Sequence, residues 1–239
     1  MFWWQAQVGD GLTVAFTNTE AGNLALHVGD DPAQVMMRRA ALERRMKVPG
    51  GSLRFMNQVH SAVVVAVPGP TGPTGSSGAG DPPTADALVS TDGSVPLAVM
   101  VADCVPVALA GLGSRGVVTA AAHAGRRGLL EGVLVNTVRG MREAGAVSIR
   151  AWIGPAVCGQ CYEVPRMMLD EAAEAMPALQ SRTRWGTPAL DLPAGAEAQL
   201  AGLGVEVLRL GGCTLESDDL YSHRRSADAG RLAGLIWRS

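Results

Sequence analysis

Asp103 and Cys104 interrupt the most apolar stretch of the chain, Val95 to Leu112, and His123 closes the next apolar run. An acid and a thiol set among Val, Leu, Met and Ala must be neutralised, paired or bound to something. His60 closes a third segment, Phe55-Met-Asn-Gln-Val-His. Imidazole and thiolate together suit zinc, with copper as the next candidate. Three protein ligands leave the fourth tetrahedral position of zinc to water or substrate, the pattern of a catalytic site rather than a closed structural one. Zinc would also hold Cys104 as thiolate in apolar surroundings. The long gaps between the three residues fit no compact metal motif, so their shared placement at strand ends carries the reading. The same region supports a metal-free alternative, a cysteine hydrolase or deamidase with Cys104 as nucleophile, His123 as base and Asp103 as the orienting carboxylate. His60 separates the two, because a Cys–His dyad has no need of it.

A second kind of chemistry attaches to the segment His123-Ala-Gly-Arg-Arg-Gly128, which joins a strand to a helix. Gly125 and Gly128 let backbone N–H groups approach a ligand, and Arg126 or Arg127 beside them can grip a phosphate in bidentate fashion. Tyr221-Ser-His-Arg-Arg225 is another cationic cluster, with the same choice between an anion site and solvated arginines. Cys158-Gly-Gln-Cys161 has redox-motif spacing, yet no second pair completes a four-cysteine zinc site and Cys213 stands alone. Cys158, Cys161 and Cys213 are therefore read as small buried hydrophobes.

The elements that must position these residues follow from periodicity. Short strands are expected at Leu12–Phe16, Val63–Val67, Ala87–Ser90, Leu97–Ala102, Val117–Ala122, Ile149–Ile153 and Val205–Leu210. Another is expected at Val105–Ala110, with the buried run broken at Pro106. Asp30-Asp-Pro32 starts a helix whose apolar stripe is Val35, Met36, Ala40, Leu42 and Met46. A helix from Gly128 carries Leu130, Val133, Leu134, Val138 and Met141 at 3.6-residue spacing, and two more lie near Met167–Ala175 and Ala194–Leu203. Pro68 to Pro83 is a Gly/Pro-rich tract too poor in apolar side chains to pack, and is expected to be a mobile surface loop. Strands and helices interleave without a regular βαβ beat, which predicts a layered α/β (α+β) fold with a mixed sheet.

At 239 residues and 47% hydrophobic, the chain can bury one substantial core, and a single domain over 1–239 is expected. A net charge of −2 with interspersed signs offers no nucleic-acid groove. Lys47 is the only lysine, a bias of composition rather than a site. The amino end lacks the basic and apolar regions of a signal peptide, and Asp103 with two prolines argues against a spanning helix across Val95–Leu112. A cytoplasmic protein with no membrane partner is expected.

Several stretches, taken in order, resemble the laccase-domain family, once called multicopper polyphenol oxidoreductases and now regarded as zinc-dependent purine nucleoside phosphorylases. They include Asn23-Leu-Ala-Leu-His-Val-Gly-Asp-Asp-Pro32, Asn57-Gln-Val-His60, Ala85-Asp-Ala-Leu-Val89, Ala102-Asp-Cys-Val-Pro106 and Ala122-His-Ala-Gly125. Ile153-Gly-Pro155, Tyr162-Glu-Val164, Cys213-Thr214, Ser222-His-Arg-Arg225 and Gly230-Arg231 continue the series. The resemblance implies His60, Cys104 and His123 as zinc ligands. It implies phosphorolysis of adenosine, inosine, guanosine and methylthioadenosine, with adenosine deamination as a second activity. Purine nucleosides and phosphate would be the small-molecule partners. Arg127 and Arg225 are assigned to anion contacts, Asn23 to a polar substrate contact, and Asp103 to orienting a ligand or to proton transfer. Some bacterial relatives are linked to cell-wall precursor editing, which gives a peptidoglycan-editing role as a third class. Two departures stand out: Arg126 where the family has Trp, and Asn18 in a region where it has Arg. The laccase label itself fails on counting, because a multicopper cluster consumes many more His than the four in this chain.

Overall fold

Successive residues of a strand face opposite sides of its sheet, and this parity sorts the core into three clusters. Val14 and Phe16 of β2 (Leu12–Thr17) pack with Val99 and Ile236, whereas Ala15 between them packs with Leu42 and Leu235. The computed structural model describes residues 1–69, 81–114 and 116–238, so the middle of the tract expected to be a mobile loop over 68–83 lies outside the described residues.

Two sheets dominate. The first is antiparallel, in the order β1 (Phe2–Gly9), β2, β12 (Leu232–Arg238), β5 (Leu97–Val101). The second runs β11 (Glu206–Arg209), β8 (Ser148–Ile153), β6 (Val105–Gly113), β7 (Gly116–Ala124), β4 (Ala87–Ser90), β3 (Val64–Val67). Its outer pairs β11/β8 and β3/β4 are parallel and the others antiparallel, so the sheet is mixed as expected. The sheets face each other across Phe16, Leu88, Val99, Ala108, Trp152 and Ile236. Helix α1 (Pro32–Met46) covers the outside of the first sheet through Leu42 and Met46. The outside of the second is covered by α3 (Val133–Glu143), α4 (Arg166–Ala175) and α5 (Leu192–Gly202). The result is four layers, helix–sheet–sheet–helices. Gly234 sits where the sheets meet: a Cβ there would lie 3.0 Å from Phe16 and 3.1 Å from both Pro106 and Val99.

Several expectations are corrected. The apolar run breaks at residues 102–104, where Asp103 takes a left-handed φ of 86°, and β6 then runs straight through Pro106. Proline is tolerated because its edge faces the end of β8, where the Gly154 amide donates to the Pro106 carbonyl at 3.0 Å. The helix expected from Gly128 is two helices, α2 (Arg126–Leu130) and α3, parted by Gly132 at φ 89°. Met36 is exposed rather than part of the α1 stripe, and buried Glu43 takes a place there, accepting the amides of Gly51 and Leu53 at 2.9 Å each. Strands β1, β12 and the small β9 (Gln180–Arg182) and β10 (Pro188–Leu190) pair were not expected.

Candidate metal centre

The antiparallel register places Pro106 opposite His123 and Ala87 opposite Ala122, so the start of β6, the end of β7 and the start of β4 meet at one edge of the second sheet. Cys104 precedes β6, Asp86 precedes β4, and His123 lies on β7. The His123 amide donates to the Asp86 carbonyl at 2.7 Å, which continues the β4–β7 ladder by one bond. His60 reaches the same edge from a turn in which its own φ is 60°. The ligand atoms of His60, Cys104 and His123 all lie within 4.8 Å of one another. Cys104 Sγ is 3.7 Å from His60 Nε2, and the two imidazole rings stand edge-to-face with centroids 4.7 Å apart.

Asp86, fully buried, organises this edge. Its carboxylate meets His123 Nδ1 at 2.8 Å. It also accepts the amides of Val59, His60 and Ser61 at 3.2, 3.0 and 2.7 Å and the Ser61 hydroxyl at 2.7 Å. One carboxylate thus orients one imidazole and anchors the turn that delivers the other. Burial alone would raise its proton affinity, but the hydrogen bonds from His123 and Ser61 outweigh it and hold the carboxyl well below its ordinary range. Burial likewise disfavours the charged forms of Cys104 and His123. Their mutual attraction and hydrogen bonds win, bringing the Cys104 thiol down to about 6 and His123 up to about 9. Within Ala85-Asp-Ala-Leu-Val89, Asp86 carries no task that the sequence assigns. The signal was there: an acid directly before the apolar run Ala87-Leu-Val89.

Gly125 forms the wall of the site. A Cβ at this position would lie 2.6 Å from His60 Cδ2, 3.3 Å from Cys104 Sγ and 3.4 Å from His123 Cε1. With Nδ1 of His123 engaged by Asp86, Nε2 is the atom left for an ion, and one thiol and two imidazoles then converge in a donor set that fits zinc. A carboxylate behind a ligating imidazole is the usual arrangement of such sites.

Residues 12–239 match the family model described as multi-copper polyphenol oxidoreductase laccase. The chain belongs to that family. Similar members carry the name purine nucleoside phosphorylase. One from Streptomyces coelicolor is 47% identical over 218 residues, covering 90% of this chain and 87% of its own. One from Mycobacterium tuberculosis is 43% identical over 224 residues, covering 90% and 84%. A Neisseria meningitidis protein of solved structure superposes with a TM-score of 0.81 at 33% identity, covering 99% of this chain and 98% of that one. YlmD of Geobacillus stearothermophilus gives 0.82 at 30% identity, covering 96% and 92%.

The other residues singled out in this laccase-domain chain are placed differently from expectation. The Asp103 oxygens accept the Thr214 hydroxyl at 2.6 Å and the Arg224 amide at 2.7 Å, so the carboxylate that touches His123 is Asp86 instead. Asn23 is buried, and its amide bonds Ala25 through both ends, Asp30, and the Arg231 N–H at 3.0 Å, which makes it a clamp between chain segments. Arg225 donates to the carbonyls of Thr214, Leu215, Ser217 and Leu220, stapling that loop. Arg127 is exposed and paired with Glu131 at 2.7 Å along α2. Arg126, half-buried next to Gly125, has no hydrogen-bond or ion-pair partner among the described residues. Cys213 does not stand alone, for its Sγ clusters with those of Cys158 and Cys161 and with the Glu216 carboxylate.

Proposed function

We propose that this chain is a zinc-dependent purine nucleoside phosphorylase of the cytoplasm, acting on adenosine, inosine, guanosine and methylthioadenosine, with adenosine deamination as a second activity. The observation that carries this is the convergence of His60, Cys104 and His123 within 4.8 Å around Gly125, where a Cβ would press on all three side chains. The name carried by relatives 43–47% identical across nine-tenths of the chain supports it. Bound there, zinc supplies a fixed positive charge that polarises a substrate oxygen.

The chain's own residues supply the rest. Zinc would be held by Cys104 as thiolate, the form favoured by a pKa of about 6, and by the imidazoles of His60 and His123, with His123, at about 9, giving up a proton to make room for the ion. Asp86 keeps the proton of His123 on Nδ1 and so keeps Nε2 free to ligate. Arg126, unpaired and beside Gly125, takes the anion contact first assigned to Arg127 and Arg225. Arg231, whose guanidinium is near enough to Cys104 and Asp103 to feel their charges, adds positive potential. In phosphorolysis the bond between C1′ and N9 breaks, its electron pair leaving with the purine, which takes up a proton. A phosphate oxygen then bonds to C1′. Positioned cations serve this reaction because the ribose becomes oxocarbenium-like as phosphate approaches. Deamination in the same site adds water at C6 and releases ammonia.

One observation favours a second reading. Cys104, His123 and Asp86 are arranged as nucleophile, base and orienting carboxylate, with Asp86 in the place first given to Asp103. That triad would serve a metal-free hydrolase or deamidase. Assay of inosine with and without phosphate decides between them. The phosphorylase gives hypoxanthine and ribose 1-phosphate only when phosphate is present, loses turnover to strong chelators, and loses this ion with turnover in His60→Ala. Free ribose formed at the same rate without phosphate, or full activity after chelation, would sink it.

A further inference from the structure

Three cysteines that the site above leaves unused are gathered by two loops. The Cys158-Gly-Gln-Cys161 turn closes on itself, the Cys161 amide donating to the Cys158 carbonyl at 2.9 Å. A second loop reaches it through Gly211 and Gly212, both in left-handed conformations with φ of 77° and 83°, and delivers Cys213. Residues 156 and 213 form a parallel bridge, and the Thr214 amide donates to the Ala156 carbonyl at 3.1 Å. Sγ of Cys158, Cys161 and Cys213 and a carboxylate oxygen of Glu216 thereby fall within 4.8 Å of one another. We infer that these four residues form a second metal site, distinct from the His60–Cys104–His123 centre, that takes zinc as a closed structural ion.

The geometry suits that ion. Thiolates on zinc at about 2.3 Å place their sulfurs about 3.8 Å apart, inside the observed spread. A two-residue gap between paired cysteines, with further ligands from a distant loop, is the arrangement of structural zinc clips. One backbone donor faces the cluster, the Cys158 amide lying 3.4 Å from Cys213 Sγ. Positive charge is gathered as well: Arg184 pairs with Glu216 and lies 3.6 Å from Cys161 Sγ. For Glu216 to ligate, its carboxylate must exchange the Arg184 guanidinium for the ion. A cavity of about 280 Å³ lined by Gly154, Cys158, Arg209, Gly212, Cys213 and Glu216 gives the ion a way in. Four protein ligands leave no open position, which makes the ion a staple rather than a catalyst.

The staple closes on the loops that shape the first site. Cys213 adjoins Thr214, whose hydroxyl holds Asp103, and the Val157 amide beside Cys158 donates to the Asp103 carbonyl at 2.9 Å. The test is metal analysis of the whole protein purified with zinc and dialysed against metal-free buffer. About two zinc per chain are expected. Cys161→Ser and Cys213→Ser should each fall to one, His60→Ala should also fall to one, and His60→Ala with Cys213→Ser should hold none. Cobalt(II) loading of the unmutated chain needs no variant to fold. It should give thiolate-to-metal charge transfer from three sulfurs at one ion and one at the other. A single zinc per chain that only His60→Ala removes would overturn the inference. So would a thiol titration of the denatured, freshly purified chain that finds two free thiols instead of four, since a disulfide would then occupy the cluster.

Discussion

Asp86 Oδ1 lies 2.8 Å from Nδ1 of His123, and the same oxygen accepts the His60 amide at 3.0 Å. A single buried atom thus orients one imidazole and holds the backbone that carries the other. Because His60 has a left-handed φ of 60°, a conformation non-glycine residues seldom hold unaided, that amide contact also restrains strain at the site.

Asp86→Asn should therefore weaken zinc binding at the centre by about 10- to 100-fold, as loss of such outer partners does. It should also change the acid limb of stability. The folded-state carboxyl sits below its unfolded value, so its contribution is present above about pH 4 and lost as pH falls further. Urea unfolding of metal-free protein should show a larger deficit for the variant at pH 7 than at pH 3. Equal deficits at both would remove the linkage.

Gly125→Ala places a methyl 2.6 Å from His60 Cδ2. The imidazole, exposed on its other side, must swing away, so metal retention after dialysis should fall at least about tenfold while overpacking costs about 1–3 kcal/mol. Full retention in a folded variant would mean that His60 does not ligate from its present position.

Arg126, Arg127 and Arg225 separate by what each already holds. Arg126→Ala should raise the phosphate KM by about 10- to 100-fold, the worth of a charge-assisted contact. Arg127→Ala should leave it within about twofold, since that side chain is exposed and engaged with Glu131. Arg225→Ala should lower the melting temperature instead, because four carbonyls lose their donor. Initial-rate kinetics with phosphate varied, beside thermal unfolding, would expose a reversed order.

Asn23→Ala belongs with Arg225 in this scheme. Its buried amide ties residues 25, 30 and 231, so the expected loss is about 1–3 kcal/mol of stability with nucleoside KM little changed in the folded fraction. A raised nucleoside KM at unaltered stability would restore Asn23 to the substrate side.

Much of this was legible in the sequence. The strands from Val64 to Ile153 and the helices at Pro32, Arg166 and Leu192 follow hydrophobic runs and proline signals that local physics dictates. The three candidate ligands stood out because thiol and imidazole are costly among apolar neighbours. What was not legible depends on partners far away in the chain. Strand β12 contains Gly234, which reads as a weak strand former until Phe16 and Pro106 are seen pressing on it. Strand β1 is a half-buried edge, where alternation is blurred. Arg126 and Arg225 are alike in sequence, and only the carbonyls around Arg225 tell a staple from a free cation. The Cys158–Cys213 cluster joins positions 55 residues apart, a pairing that spacing rules for compact zinc motifs do not reach.

His60, Cys104 and His123 come from three segments that touch only after β4, β6 and β7 have paired. An unfolded chain offers the same three side chains scattered over a wide coil, and its hold on an ion is correspondingly slight. An ion taken up by these three side chains would therefore meet a finished seat only in the folded chain. Its binding free energy would then go to the native state alone and show mainly as slower unfolding, so an ion captured from a scarce supply would lengthen the life of the folded chain without hastening its folding.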